Sequence, residues 1–252
     1  METNDLWVVV PFFNEEQLII DTLDSLFLQT DRNFSLVLVD NGSTDNSTKL
    51  AQDYIDKTKM RAIVISERQK GTGTAADSGF RFAIDQGAKY VARTDSDTIV
   101  HPEWIERIKA HLDNGALIVG GKMKPRDDEP FYTKKDGVLA RFFIRVMEIA
   151  TPIVHRHRDN NYRVFMVPGP NMAIEANLYE KVGGFPRVSI EDLNEDTDLY
   201  LRVCKTINSN QAHFAKDVVA YGSIRRVKQY GYLRTLFFYW DRKVKLETVD
   251  IR

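Results

Sequence analysis

Short apolar runs alternate with longer segments of helical periodicity through the first half of the chain. The apolar runs predict β-strands, and segments in which apolar residues recur roughly every three or four positions predict amphipathic helices. The predicted strands are Leu6–Val10, Phe34–Val39, Arg61–Ile65 and Tyr90–Thr94, and the predicted helices are Glu15–Gln29, Thr44–Lys57 and Thr74–Gln86. Because connections of about a dozen residues or more join parallel neighbours, the alternation predicts an α/β fold with a mostly parallel, twisted sheet flanked by helices.

The second half of the chain is less regular, but its apolar spacing predicts further elements. The predicted helices are Trp104–Leu112, Val138–Val154 and Leu193–Ile207, and the predicted strands are Ala116–Lys122, Val164–Val167, Asn171–Ile174 and Ala212–Tyr221. Residues 226–252 are basic and aromatic and are also predicted to be helical. The stretch Lys124–Lys135, rich in Pro and charge, predicts a loop between two halves of one continuous domain.

The composition of the chain excludes several classes of protein. The 35 Lys and Arg residues nearly balance the 36 Asp and Glu residues, which excludes a strongly basic nucleic-acid-binding protein. The single cysteine, Cys204, excludes a disulfide framework. The chain has no long uncharged apolar run and no basic, apolar leader at its start, so we expect neither a membrane span nor a secretory signal. We therefore expect a cytoplasmic protein that makes at most peripheral contact with the inner membrane face.

Four polar segments follow the predicted strands of the first half. They are Pro11–Glu15, Asp40–Asp45, Lys70–Gly73 and Asp95–Asp97. Ligands of open α/β sheets bind beyond the carboxyl ends of the strands. The four segments therefore predict one binding site at that edge of the sheet.

Some of these residues suit phosphate and metal chemistry. Asp95 and Asp97 can present oxygens to Mg²⁺ or Mn²⁺, with substrate phosphates completing the shell, although a solvated turn would also use such residues. Asp40 can accept from a ribose hydroxyl or a base N–H, while the residues after it can equally cap a helix. Lys70–Thr74 places a lysine and two glycines before a helix, as an anion cradle does.

Two charged clusters occur later in the chain. Five carboxylates between Glu191 and Asp198 precede a predicted helix. They either complement the helix dipole or supply a general base. Arg225 and Arg226 are either a phosphate clamp or a surface charge pair.

Six motifs in order give the chain its resemblance to a known family. They are Val10-Pro11-Phe12-Phe13-Asn14-Glu15, Val39-Asp40-Asn41-Gly42-Ser43-Thr44-Asp45, Thr94-Asp95-Ser96-Asp97, Gly169-Pro170-Asn171-Met172-Ala173, Val182-Gly183-Gly184-Phe185 and Asn194-Glu195-Asp196-Thr197-Asp198-Leu199. Over about residues 6–205 the chain resembles the inverting glycosyltransferases of family 2, which have the GT-A fold.

The resemblance implies a role for each motif. It implies a nucleotide-sugar-binding half over residues 1–123, an acceptor and catalytic half over 124–225, and a separate C-terminal segment over 226–252. The implied nucleoside-pocket residues are Pro11, Phe13, Glu15 and Asp40. The implied cation ligands on the donor pyrophosphate are Asp97 and Asp95, and the implied late pyrophosphate ligands are Arg225 and Arg226. The implied general base is Asp196, paired with Glu195, and the loop implied to face donor sugar and acceptor is Gly169–Asn171.

The chain also departs from the family pattern. The family often has Asp-Asp-Gly-Ser where this chain has Asn41 after Asp40, and Ala-Arg-Asn-x-Gly where it has Ala75-Ala76-Asp77-Ser78-Gly79. Lys70 or Arg93 can compensate for the missing arginine. The Gln-x-x-Arg-Trp signature of processive synthases is absent from the sequence.

The resemblance implies metal-dependent, inverting transfer of a single sugar from a nucleotide sugar, usually a UDP-sugar, to a glycan or lipid-linked hydroxyl acceptor. A sugar-phosphate nucleotidyltransferase and a nucleotide-sugar-binding module without catalysis are the alternatives. The basic, aromatic segments Val138–Val154 and Lys228–Lys245 can lie in a membrane interface. An apolar stripe is more often packed against a core, and we favour that interpretation here.

Overall fold

The computed structural model describes residues 5–129, 132–156, 167–187 and 195–231. The strands in these ranges are β1 (Leu6–Phe12), β2 (Ser35–Asp40), β3 (Ala62–Ser66), β4 (Tyr90–Arg93), β5 (Thr98–Val100), β6 (Ile118–Pro125), β7 (Met172–Glu175) and β8 (Ala212–Gly222). The α-helices are α1 (Ile19–Phe27), α2 (Ser47–Thr58), α3 (Thr72–Asp85), α4 (Trp104–Asp113), α5 (Lys134–Arg156), α6 (Ala176–Lys181), α7 (Glu195–Cys204) and α8 (Arg225–Tyr230). Short 3₁₀ helices span Gly169–Asn171 and Ser209–Gln211.

The strands form one sheet in the order β3-β2-β1-β4-β7-β6-β8-β5. β1 pairs in parallel with β2 and β4, and β2 pairs in parallel with β3. Their carboxyl ends therefore meet at one edge, where Phe12 lies beside Asp40 and Asp40 beside Ser66. β7 runs antiparallel between β4 and β6, β8 is parallel to β6, and β5 is antiparallel to β8.

Two hydrophobic cores cover the two faces of the sheet. Val8 and Val10 belong to the core formed with α1, α2 and α4, whereas Val9 belongs to the core formed with α3, α6 and α7. All three side chains are fully buried. A central strand buried on both faces carries a continuous apolar run, which explains the unbroken valines of β1.

The predicted α/β class, with one twisted sheet between helices, is confirmed. Four of the seven strand pairings are parallel and three are antiparallel, so the sheet is mixed. β5 and α6 have no counterpart among the predicted elements because three and six residues are too few to show a periodicity. The predicted loop Lys124–Lys135 is also too long, since β6 includes Pro125 and α5 begins at Lys134. The predicted strand Val164–Val167 lies outside the described residues except for Val167, which belongs to no strand.

The apolar stripe of α5 faces solvent along much of its length. Leu139, Phe142 and Ile149 are 49%, 67% and 65% exposed, whereas Ala140 and Met147 are buried. The favoured interpretation of this stripe as core-facing is therefore wrong for those three residues. No helix in the described ranges is both long enough and apolar enough to cross a bilayer.

Candidate active site

The loops that follow β1 and β2 are joined by hydrogen bonds at the carboxyl edge of the sheet. The Asn14 N–H donates to Ser43 Oγ at 3.0 Å, and the Thr44 N–H donates to Asn14 Oδ1 at 2.8 Å. Asn14 has a φ of 53°, a left-handed conformation that Asn adopts more readily than most residues. The Glu15 N–H donates to Ser47 Oγ at 2.6 Å. These bonds fix the backbone that carries Glu15, a predicted donor-site residue.

Asn41 joins the second loop to the loop that follows β3. Its Nδ2 donates to the carbonyl oxygens of Glu67 at 3.0 Å and Gln69 at 2.8 Å, and its Oδ1 accepts from the Gly71 N–H at 2.9 Å. A carboxylate here could not donate to two carbonyls. Asn41, which stands where the family often has a second aspartate, therefore has a local structural role.

Lys70 covers Phe13 at the same corner of the site. Its Nζ lies 3.7 Å from the Phe13 ring centroid and donates to the carbonyl oxygens of Asn41 at 2.8 Å and Gly42 at 3.0 Å. A cation over an aromatic face is attracted by the ring quadrupole. Any contact between Lys70 and a donor must therefore compete with the interactions that Lys70 already makes within the fold. The side chain of Asp40, which ends β2, is largely buried.

The guanidinium of Arg93, at the end of β4, joins the two acidic motifs of the sequence. Arg93 is only 1% exposed. Its Nε donates to Asp95 Oδ1 at 3.0 Å, and its Nη1 donates to Asp196 Oδ1 at 3.1 Å and lies 3.8 Å from Glu195 Oε1. The Arg93 Cζ atom also lies 5.4 Å from the Phe185 ring centroid. Carboxylates 100 residues apart in sequence, Asp95 and Glu195, thus contact one buried cation.

Burial and neighbouring charges shift the pKa values of this cluster in opposite directions. Burial alone would lower the pKa of Arg93, but Asp95, Asp196 and Glu195 together raise that pKa above its ordinary value. Burial raises the pKa of the Asp95 carboxyl, and the neighbouring Arg93 charge opposes this rise. The guanidinium therefore remains charged and holds the surrounding carboxylates in place.

Two glycines allow the first turn of α7 to approach the site closely. A Cβ atom on Gly169 would lie 2.4 Å from both carboxylate oxygens of Asp196, and a Cβ atom on Gly73 would lie 3.0 Å from the Cβ of Glu195. The Gly169 N–H also donates to Asp196 Oδ2 at 2.9 Å. One Asp196 oxygen thus accepts from Gly169 and the other from Arg93, so both fix the orientation of the carboxylate.

Arg225, at the start of α8, contacts the segment that follows β1. Its Nη2 lies 2.7 Å from Glu15 Oε2 and 3.4 Å from Asp97 Oδ2. The backbone N–H and the Nε of Arg225 both donate to Ser223 Oγ at 3.2 Å. The late basic segment predicted as a phosphate clamp therefore meets the first and fourth polar loops of the sheet.

Asp95 and Asp97 provide oxygen atoms of the kind that Mg²⁺ and Mn²⁺ prefer. Among the described residues, no group of three or more His, Cys, Asp or Glu side chains is arranged to hold a metal ion. One Asp95 oxygen is already bonded to Arg93. The two carboxylates therefore fit a cation that shares its remaining ligands with a bound diphosphate.

The comparison with protein families identifies the chain. Residues 7–183 match the family model described as "Glycosyl transferase family 2", which covers more than half of the chain. The chain belongs to glycosyl transferase family 2. The resemblance of the sequence motifs to family 2 is thereby confirmed.

One curated relative of this family 2 member is the undecaprenyl-phosphate 4-deoxy-4-formamido-L-arabinose transferase of Proteus mirabilis. It is 32% identical over 133 residues, which are 51% of this chain and 40% of the relative. This chain thus matches less than half the length of that protein.

Two solved structures share the fold of this family 2 member. S. aureus TarS 1-349 in complex with UDP-GlcNAc has a TM-score of 0.64 and 18% identity, over 96% of this chain and 68% of the TarS 1-349 chain. The mannosyltransferase PcManGT from Pyrobaculum calidifontis, in complex with GDP-Man and Mn²⁺, has a TM-score of 0.65 and 21% identity, over 96% of this chain and 65% of that protein. At these identities the likeness concerns the fold, which is the GT-A fold.

The Asn171 side chain is held within the fold. It is fully buried. Its Oδ1 accepts from Trp104 Nε1 at 2.8 Å, and its Nδ2 donates to the carbonyl oxygens of Lys122 and Val218, each at 3.1 Å. The amide thus joins α4, β6 and β8, and the predicted contact of Asn171 with the donor stays a prediction that its backbone would have to fulfil.

Asp77, the second departure from the family pattern, is also fully buried. It accepts from Tyr179 Oη at 2.9 Å, from Arg81 Nε at 2.8 Å and from Arg187 Nη1 at 3.2 Å. Arg187 also lies 2.7 Å from Glu67. The carboxylate at this position thus anchors Arg187, in the segment that leads towards α7.

Sequence reasoning missed the role of two residues near the site. Phe185, whose ring lies near Arg93, ends the Val182–Phe185 motif and could have been found from that motif. Glu129 is buried and accepts from the Ile224 N–H at 3.4 Å, but it lies in a predicted loop and gave no signal. The side chain of Arg226 lies outside the part of the chain that the structure describes, so its predicted role stays a prediction.

Proposed function

We propose that this glycosyltransferase moves a single sugar from a nucleotide sugar, with UDP as the nucleotide, to a hydroxyl acceptor, with inversion at the anomeric carbon. The proposal rests on the Arg93 cluster, in which one buried guanidinium contacts both Asp95 and Asp196. The UDP-GlcNAc bound to TarS and the GDP-Man and Mn²⁺ bound to PcManGT support a nucleotide-sugar donor and a divalent cation. The missing Gln-x-x-Arg-Trp signature supports single addition.

The carboxyl edge of the sheet provides the donor site in this proposal. Phe13, Glu15 and Asp40 bind the nucleoside, with Pro11 shaping the end of β1. Asp97 and Asp95 hold Mn²⁺ or Mg²⁺ together with the donor diphosphate. When bound, such a cation neutralises charge that develops on the leaving diphosphate.

Asp196 is the general base in this mechanism. The acceptor oxygen forms its bond to the anomeric carbon, the bond from that carbon to the diphosphate breaks, and the acceptor proton passes to Asp196. Arg93 and Gly169 hold the two oxygens of this carboxylate, so it is oriented before the acceptor binds. General-base catalysis is worth roughly 10²–10⁴-fold in rate.

A thermal-shift screen tests the donor assignment. UDP, GDP, dTDP, CMP and NAD are each added to the protein with and without Mn²⁺. Binding to the folded state raises stability by about 2.7 kcal/mol at a ligand concentration of one hundred times Kd. We expect a Mn²⁺-dependent shift with UDP that the substitution Asp97→Ala removes. A shift with NAD alone, or with none of the nucleotides, would contradict the proposal.

The close approach of Gly169 to Asp196 gives a second expectation. Gly169→Ala places a methyl group where the Asp196 oxygens now lie, so the carboxylate must rotate away from Arg93. We expect turnover to fall by about the contribution of general-base catalysis, roughly 10²-fold or more, with donor affinity little changed. Steady-state rates and nucleotide titrations on the same sample measure both quantities. Unchanged turnover would show that Asp196 does not need this position.

The exposed side of α5 supports a lipid-linked acceptor. Val138, Phe142, Arg145 and Ile149 follow one another at helical spacing, and all four are exposed. Lys134, Lys135 and Arg141 are exposed on the same helix. Apolar side chains flanked by basic ones suit a helix lying on an anionic bilayer. The name of the Proteus mirabilis relative, which specifies undecaprenyl phosphate, supports the same acceptor class.

Vesicle binding tests this acceptor surface. We expect Phe142→Glu to weaken binding to vesicles that contain phosphatidylglycerol by about tenfold or more, because burying one large apolar side chain is worth roughly 1.5–3 kcal/mol. Leu28→Glu is the matched control, since Leu28 is 64% exposed but lies at the end of α1. Sedimentation with the vesicles measures the bound fraction. Equal loss in both variants, or binding by neither the wild type nor the variants, would refute the lipid surface.

A further inference from the structure

Arg225 contacts both Asp97, the proposed cation ligand, and Glu15, which lies in the segment that follows β1. Its side chain is 12% exposed, and that of Glu15 is 9% exposed, so both groups are largely removed from solvent. Nη2 contacts Glu15 at 2.7 Å and Asp97 Oδ2 at 3.4 Å. One guanidinium thus contacts two carboxylates, and its contact with Glu15 is the shorter of the two.

A hydrogen-bond chain behind Arg225 keeps the guanidinium in this position. Ser223 Oγ accepts from Arg225, and Ile224 donates its N–H to Glu129. Glu129 is 4% exposed. The turn between β8 and α8 is therefore anchored on a buried acid, and the placement of Arg225 is built into the fold.

Asp97 Oδ2, which contacts Arg225, is one of the two oxygens through which this carboxylate would hold a divalent cation. Asp95 is bonded to Arg93, so Asp97 is the carboxylate of this pair that contacts no arginine other than Arg225 in the described residues. A divalent cation arriving alone would be placed beside a guanidinium and repelled by it. A cation arriving with a nucleoside diphosphate brings anionic oxygens that the guanidinium can bind instead.

We propose that Arg225 is a resident counter-cation of Asp97, which holds this carboxylate until a nucleoside diphosphate binds and so prevents the site from taking up a divalent cation alone. This inference rests on the proposed function, because it assigns Asp97 to the cation. Arg225 keeps its contact with Glu15 when it leaves Asp97, since that contact is the shorter of the two. Metal and nucleotide therefore bind as a unit.

Titration with Mn²⁺ in the absence of nucleotide, followed by the electron paramagnetic resonance signal of free Mn²⁺, tests the inference directly. We expect the wild-type protein to bind Mn²⁺ weakly and Arg225→Met to bind it at least tenfold more tightly. Arg225→Gln is the second variant, since its amide keeps a donor for Glu15. Arg107→Met is the matched control, because Arg107 pairs with Glu103 on α4.

The double variant Asp97→Ala, Arg225→Met identifies the carboxylate involved, and it should lose the gain in Mn²⁺ affinity. Tight Mn²⁺ binding by the wild type, a change of less than twofold in both Arg225 variants, or a gain that survives the loss of Asp97 would overturn the inference. None of these titrations contains a nucleotide. Failure of the proposed function would appear separately, as the absence of any nucleotide-dependent thermal shift in the wild type.

Discussion

Asp196→Asn should reduce the turnover number by roughly 10²–10⁴-fold while leaving donor affinity within a few-fold of the wild type. The amide occupies the same volume but cannot take a proton from the acceptor hydroxyl. It can also satisfy only one of the two present donors, since a single oxygen must serve either Gly169 or Arg93. Initial rates at saturating donor and acceptor, beside a nucleotide titration, separate these effects.

Asp198→Asn is the matched control for this substitution. Asp198 lies on the same helix but pairs with Arg202 at 2.8 Å. We expect its turnover to stay within a few-fold of the wild type. If Asp196→Asn abolished donor binding, or if both variants lost the same activity, Asp196 would be a structural residue rather than the base.

Arg93→Met should have the largest effect on stability. It leaves Asp95, Glu195 and Asp196 without the buried guanidinium that is their shared counter-charge. Removing one partner of a buried ion pair typically costs about 3–5 kcal/mol in the free energy of unfolding. Urea denaturation monitored by circular dichroism measures the loss. Arg107→Met, which removes the partly exposed ion pair with Glu103, should lose less than about 1 kcal/mol, since surface pairs contribute little.

Arg93→Lys distinguishes the charge of the guanidinium from its shape. The ammonium keeps a positive charge but cannot reach Asp95 and Asp196 with separate nitrogen atoms as Arg93 does. We expect stability to recover in part, while turnover stays well below the wild-type value because Asp196 is no longer oriented. Full recovery of turnover in Arg93→Lys would show that charge alone is sufficient.

The parallel half of the fold could be predicted from the sequence because its information is local. The strands β1 to β4 are apolar runs, and the loops after them are polar, so the edge that carries Asp40 and Asp95 follows from the alternation alone. The pairing of β7 between β4 and β6 could not be predicted in the same way. It depends on contacts between positions more than 50 residues apart in sequence, such as Ile118 with Ile174 and Val91 with Ile174.

The direction of individual side chains was also beyond a reading of the sequence. The sequence marks the Gly169–Asn171 motif, but only the structure shows that the Asn171 amide turns inward to Trp104. The apolar periodicity of α5 likewise defines a stripe without saying what covers it. Phe142 is exposed although its position in the repeat is that of a core residue.

The sequence spacing of the site contacts has a consequence for the order in which the chain folds during synthesis. Arg93 and Asp196 are 103 positions apart, and Glu15 and Arg225 are 210 positions apart. Before α7 leaves the ribosome, β1 to β4 can pair, yet Arg93 has only Asp95 of its three carboxylate partners. Long-range contacts of this kind form late and slow the folding of a domain. The loops proposed to bind the nucleotide can therefore assemble early, whereas the proposed catalytic cluster must wait for nearly the whole described chain.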